Sequence, residues 1–156
     1  MSEDDQQQAD EVCVRLLGRR EHSAHELKQK LCQRGFSDAV IKQALATAQE
    51  HGWQSDERFA EIWLRQQLAS GNGWMKIKAA AGVKGINAEL LIELVERADP
   101  DWVELCYDKL QRKFGQQPPA TRQERDKIMR HLQNRGFRFG EIKAALDRQQ
   151  QPDESI

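Results

Sequence analysis

The side chains of this chain best suited to chemistry are cations. Lys76 and Lys78 follow the turn Gly71-Asn72-Gly73, and Arg122, Arg125, Lys127 and Arg130 crowd one short stretch. Ammonium and guanidinium groups at this density bind anions, either phosphate oxygens or the carboxylates of an acidic protein groove. Arg122 and Arg125 are three apart and Arg130 follows five later, so they do not form one helical stripe. Lys76, Lys78, Arg125, Lys127 and Arg130 are the candidate surface for contact with an acidic protein partner or a DNA backbone. Lys76 and Lys78 stand near a helix start, whose dipole disfavours cations unless negative charge lies nearby. Arg34, Lys84 and Arg135 form a second set, each directly before a glycine. A role in helix C-capping explains these three as well as binding does.

Covalent chemistry has no comparable support. The sequence lacks GxxxxGK[ST], HExxH and GxSxG, so no phosphate loop, zinc-protease helix or nucleophile elbow is expected. Gly71-Asn72-Gly73 reads as a turn between helices. Cys13, Cys32 and Cys106 include no CxxC pair, and each falls in an apolar helical stretch, which predicts buried reduced thiols. The histidines are scattered. No catalytic residue, metal or cofactor is expected.

Charge is distributed unevenly. The formal net charge is -1, yet residues 1–11 hold five acids and no base, and residues 151–156 hold two acids and no base. The body between them carries 24 basic against 18 acidic residues, a balance of +6. Residues 101–150 alone carry 11 basic against 7 acidic. A solvated helical surface accounts for such charge; contact with phosphate is compatible with it. No apolar run is long enough for a membrane span, and the acidic N-terminus is unlike a secretion signal. A cytoplasmic, monomeric protein is the expectation.

The cations are positioned by a phrase that occurs three times. LCQRGFSDAVIKQAL at 31–45 matches LQNRGFRFGEIKAAL at 132–146 in eight of fifteen places. Residues 81–95, AGVKGINAELLIELV, repeat the pattern with Lys84-Gly85-Ile86-Asn87 in place of Arg34-Gly35-Phe36-Ser37. Apolar pairs four apart, Leu27/Leu31 and Ile41/Leu45, mark two helices. Gly35 suits the left-handed position after a helix end, Phe36 plugs the junction, and Ser37 caps the next helix. In the third copy Arg138 stands where Ser37 does, so that cap is missing. A further helix precedes each pair: about Ala9 to Arg19, from Ser55-Asp56-Glu57 onward, and from Asp99-Pro100 onward. Ser23 to Glu26 and Thr121 to Glu124 read as capping boxes. Trp53, Trp63, Trp74 and Trp102 lie near the unit edges, where packing between units is the simpler role and base stacking the other.

The fold class that follows is all-α, with nine helices in three tandem three-helix units forming an elongated, curved repeat array. The expected boundaries are a disordered acidic tail at 1–8, units at 9–53, 54–99 and 100–150, and a disordered tail at 151–156.

These phrases, in this order, resemble the RecX family of bacterial regulators of the RecA recombinase. The resemblance rests on Arg20-Glu21-His22-Ser23 with Glu26-Leu27, Lys30-Leu31 and Arg34-Gly35-Phe36; on Asp56-Glu57-Arg58-Phe59-Ala60; and on Asp101-Trp102, Lys113-Phe114-Gly115 and Arg135-Gly136-Phe137. It covers most of 12–146. Two features depart from the family pattern. Gly71-Asn72-Gly73-Trp74 stands where Gly-x-Gly-Pro is usual, and Ala80-Ala81, followed by Gly82, stands where a Glu-Leu pair is usual. The resemblance implies a binding protein, not an enzyme. Its partner would be the RecA nucleoprotein filament, with single-stranded DNA as a second candidate, and its effect would be to suppress ATP hydrolysis, strand exchange and the coprotease activity behind the SOS response. A helix-turn-helix-like protein acting on duplex DNA is the alternative, because helix–glycine–helix also describes that motif.

Overall fold

The structure, a computed structural model, describes residues 3–151. Among them are nine α-helices and no strand: α1 Glu3–Arg19, α2 Ala24–Gln33, α3 Asp38–Glu50, α4 Asp56–Ala69, α5 Trp74–Lys84, α6 Ala88–Ala98, α7 Trp102–Phe114, α8 Arg122–Asn134 and α9 Phe139–Gln150. No helix among the described residues is long and apolar enough to cross a membrane. Two compact units emerge, Met1–Trp63 with Ala81–Leu91, and Leu64–Ala80 with Ile92–Ile156.

In the first unit α1 packs on α2 and α3. The core is Ala9, Val12, Cys13, Leu16, Leu27, Leu31, Val40, Ile41 and Ala44, with Leu17, Phe36 and Leu45 against it. Phe36 thus plugs the turn after Gly35 as its position implies. Residues 3–8, expected in a disordered tail, are instead helical, and α1 starts at Glu3, not near Ala9. The acids Glu3, Asp4 and Asp5 occupy the first turn, where they complement the helix dipole. Gln6 Nε2 then ties this turn to the Val40 carbonyl at 3.2 Å. The composition of the segment signalled disorder; its placement as a dipole-matched first turn decided otherwise. The disorder expected at residues 1–2 and 152–156 lies outside the described residues.

In the second unit α7 packs on α8 and α9. Its core is Cys106, Leu110, Ile128, Leu132, Phe137, Ile142, Ala145 and Leu146. The ring of Trp74 meets that of Trp102 within this unit, with centroids 6.2 Å apart. Trp63 is buried, whereas Trp53 is exposed and stacks on His51 at 4.3 Å.

Local capping agrees with the sequence in most places. Ser23 accepts from the Glu26 N–H at 3.1 Å while Glu26 accepts from the Ser23 N–H at 3.2 Å. Ser37 accepts from the Val40 N–H. At α8 only half of the expected box forms. Thr121 Oγ1 accepts from the Glu124 N–H at 3.1 Å, but Glu124 takes the Ala120 N–H, not that of Thr121. Arg138 has no acceptor to cap α9, as its side-chain chemistry requires. Glu141 compensates, accepting from the Arg138 N–H at 2.8 Å and pairing its guanidinium.

The cysteines divide. Cys13 and Cys106 are buried, and burial pushes their thiols up to about 11 and about 12 respectively. Cys32 is exposed, against the expectation for it, because it lies on the outer side of α2, next to the buried Leu31. A disulfide-exchange reagent should therefore label one thiol of the native protein quickly and the other two only on unfolding. Rapid loss of two or three thiols would contradict this core.

Candidate anion-binding surface on the second unit

The three glycine turns share one backbone geometry. The glycine N–H donates to the carbonyl three residues back, and the next N–H to the carbonyl five before it: Gly35 to Cys32 and Phe36 to Leu31, Gly85 to Gly82 and Ile86 to Ala81, Gly136 to Gln133 and Phe137 to Leu132. This geometry leaves the carbonyl before each glycine free to receive a donor from elsewhere.

In the second unit that donor is the start of α5. The Gly73 N–H donates to the Arg135 carbonyl at 2.7 Å, and the Met75 N–H to the Gly136 carbonyl at 3.0 Å. The C-terminal turn of α8 therefore faces the N-terminal turn of α5, with opposite ends of the two helix dipoles together. This resolves how Lys76 is tolerated at a helix start, since the α8 carbonyls supply the negative potential. Gly136 and Lys76 meet so closely that a Cβ on Gly136 would lie 2.5 Å from the Lys76 Cβ.

Around this junction basic groups converge. Arg135 Nη2 donates to the Ser70 carbonyl at 2.8 Å, and Lys109 Nζ approaches the same oxygen at 3.4 Å. Lys109, Arg112 and Lys113 lie on α7 at spacings of three and four, so they share a face. The Lys109 ammonium is held below its ordinary value first by desolvation, then by the cations Arg135, Arg112, Lys76 and Lys113. His131 is lowered in the same way, by desolvation and then by Lys113, Arg135 and Lys109. The Nε of Arg135 is buried and has no hydrogen-bond partner. A groove of about 220 Å³ runs beside the cluster, with Ser70, Gly71, Asp108, Lys109 and Arg112 on its walls. Mutually repelling cations with a spare donor make a surface suited to an anion.

The expected residues fall in different places. Lys76 belongs to the cluster. Lys78 is exposed but two residues on, so it points away from Lys76 around α5. Arg125, Lys127 and Arg130 lie toward the start of α8, about 15, 12 and 8 Å from Arg135 along the axis at 1.5 Å per residue. Lys127 lines a separate groove with Phe114, Pro118, Pro119 and Glu124. Arg135 joins the cluster. Lys84 instead pairs with Glu26 at 3.6 Å, and its carbonyl accepts from Ser23 Oγ at 2.6 Å. Arg34 is exposed. Lys109, Arg112 and Lys113 were not singled out from the sequence. Their i, i+3, i+4 spacing was visible, but nothing in it told which other helix they face.

The start of α2 in the first unit carries its own electrostatic signature. His22 is 2% exposed, its Nδ1 donates to the Arg20 carbonyl at 3.0 Å, and its buried Nε2 has no partner. Burial holds its imidazole below the ordinary value; Arg20 and Lys30 add to this, while the Arg20 carbonyl and Glu26 oppose it. Burial alone would raise the Glu26 carboxyl, but Arg20, the Ser23 N–H and Lys84 outweigh it and lower it. For His22 the unfolded chain takes up the proton first, so stability is complete above about 6.5 and is lost as pH falls below it. Glu26 loses its contribution only at still lower pH. Melting temperature should therefore fall between pH 7.5 and 5.5, and fall less in His22→Gln. Identical slopes would remove His22 as the cause.

Comparison with known proteins now bears on this geometry. Family models described as the first and third three-helix domains of RecX match residues 9–47 and 99–146. The protein named Regulatory protein RecX in Chromohalobacter salexigens is 38% identical over 133 residues, covering 85% of this chain and 87% of that one. The chain belongs to the RecX family. A Halorhodospira halophila RecX is 33% identical over 144 residues, covering 92% of this chain and 89% of its own. The crystal structure of RecX from Lactobacillus salivarius superposes with a TM-score of 0.77 at 19% identity, covering 94% of this chain and 97% of that one. It shares the all-helical fold. The relatives are named as regulatory proteins, and the three-helix repeat read from the sequence is the family's own.

Proposed function

We propose that this RecX protein binds RecA filaments assembled on single-stranded DNA and restrains their ATP hydrolysis, strand exchange and coprotease activity, acting as a regulator and not as an enzyme. Family membership supports a RecA-related partner. The observation that carries the reading to a surface is the convergence of Lys76, Lys109, Arg112, Lys113 and Arg135, whose Lys109 is depressed by desolvation and then by these neighbours. A nucleoprotein filament presents the anionic groups such a surface needs. Lys78, Arg125, Lys127 and Arg130 would extend the contact as peripheral cations.

The test is RecA's single-stranded-DNA-dependent ATP hydrolysis with this protein added below the RecA concentration. Inhibition is expected. No inhibition, with filaments confirmed by light scattering, would overturn the proposal, and sequence-selective duplex binding without RecA would replace it with the helix-turn-helix reading. Alanine at Lys78, Arg125, Lys127 and Arg130 together should weaken filament binding by only about threefold to tenfold, as exposed peripheral charges do. Loss equal to that from the central cluster would move the contact to α8.

A further inference from the structure

Of the glycine turns with this backbone geometry, three have a basic residue directly before the glycine, and two of those three are filled. In the first unit the Lys84-Gly85 turn receives the start of α2. Ser23 Oγ donates to the Lys84 carbonyl at 2.6 Å, Lys84 Nζ lies 3.6 Å from Glu26 Oε2, and a Cβ on Gly85 would fall 2.3 Å from that of His25. In the second unit the Arg135-Gly136 turn receives the start of α5. Among the described residues, no helix start docks on the Arg34-Gly35 turn. No atom lies within 4 Å of a Cβ built on Gly35, Arg34 is exposed, and among the described residues its carbonyl accepts no hydrogen bond.

The chain also has one capped helix start with the chemistry of α2's and no turn to fill. Ser23-x-x-Glu26 at α2 is matched by Thr121-x-x-Glu124 at α8. Ser23 accepts from the Glu26 N–H while its hydroxyl proton goes to Lys84; Thr121 likewise accepts from the Glu124 N–H, but its hydroxyl proton has no acceptor among the described residues. Thr121 and Glu124 are exposed. Arg34 stands in its turn as Lys84 does in its own, one residue before the glycine, ready to meet Glu124 as Lys84 meets Glu26.

We propose that the Arg34-Gly35 turn of one copy docks the Thr121–Glu124 start of α8 of a second copy, reproducing the Lys84-Gly85/Ser23–Glu26 junction between molecules. The donor would be Thr121 Oγ1 to the Arg34 carbonyl, with an Arg34–Glu124 ion pair beside it. The two surfaces differ, so the contact is head-to-tail and repeats from copy to copy. One junction is much smaller than a stable interface, so dilute chains stay monomeric and association appears at high concentration or where a linear template lines copies up. This inference is independent of the basic cluster and of the RecA reading.

Sedimentation velocity of the full chain alone, from about 10 µM to 1 mM, tests it at the weak affinity expected of so small a contact. The weight-average sedimentation coefficient should rise with concentration. Arg34→Glu and Glu124→Arg should each suppress the rise, weakening association about tenfold or more through like charges at the junction. An equimolar mixture of the two variants should restore it, since each turn then faces an opposite charge, and the double variant should associate by itself. A sedimentation coefficient that does not rise up to 1 mM would overturn the proposal. So would association that ignores the charge reversals, which would assign self-contact to another surface such as exposed Phe139 or Met75. Unchanged helical circular dichroism in the variants keeps misfolding out of the comparison.

Discussion

Alanine at Lys76, Lys109, Arg112 and Lys113 together should lower affinity for RecA filaments by about 2–3 kcal/mol, roughly 30- to 150-fold. Its salt dependence should become shallower in the same variant, because fewer ions are exchanged at the contact. The effect should exceed that of the peripheral cations for a physical reason. Lys109 is slightly desolvated and repelled by four neighbours, so an incoming anion gains interaction with several charges at once. Arg135 is left intact in this variant because its guanidinium also holds the Ser70 carbonyl. Thermal stability should hold or rise, since like-charge repulsion is removed. A filament affinity within twofold of wild type would show that the cluster is not the contact.

Gly136→Val should be strongly destabilising, costing about 3–5 kcal/mol. Two effects add there. Gly136 has φ 96°, a left-handed conformation that a β-branched residue resists. Its missing Cβ also makes room for Lys76, whose Cβ and backbone nitrogen would each be 2.5 Å away. Relief would require pulling α5's first turn off the Arg135 and Gly136 carbonyls. Gly35→Val meets the first effect alone, with φ 88° and open space around it. It should cost about 1–2 kcal/mol. Denaturant unfolding of the two variants separates the contributions. Equal losses would mean that the crowding at Gly136 relaxes freely.

The same comparison shows what could be read from residues and what could not. Glycine stops, Phe36 as a plug and Ser23 or Ser37 as caps are interactions spanning at most about five residues, and they hold in the structure. Cys32 was misplaced because its sequence neighbours are apolar while its angular position on α2 is outward. The start of α1 was misplaced because acidity was read as disorder, although acids at a helix N-terminus favour the helix. At the site, Lys76 and Arg135 were visible, one as a cation after a turn and the other as part of the repeated phrase. Lys109, Arg112 and Lys113 were not, since their significance comes from helices far away in sequence.

What the sequence by itself determined is therefore the local grammar: nine helices, three glycine turns of one kind, and membership of a family of three-helix repeats. Each depends on backbone preferences and contacts within a turn or two of helix, which short stretches of sequence encode. Only the tertiary structure decided which glycines are crowded, which turns are left open and which cations meet. Those outcomes depend on where α5 and α7 come to rest against α8, and charges tens of residues apart interact only after long-range packing has brought them within a few ångströms.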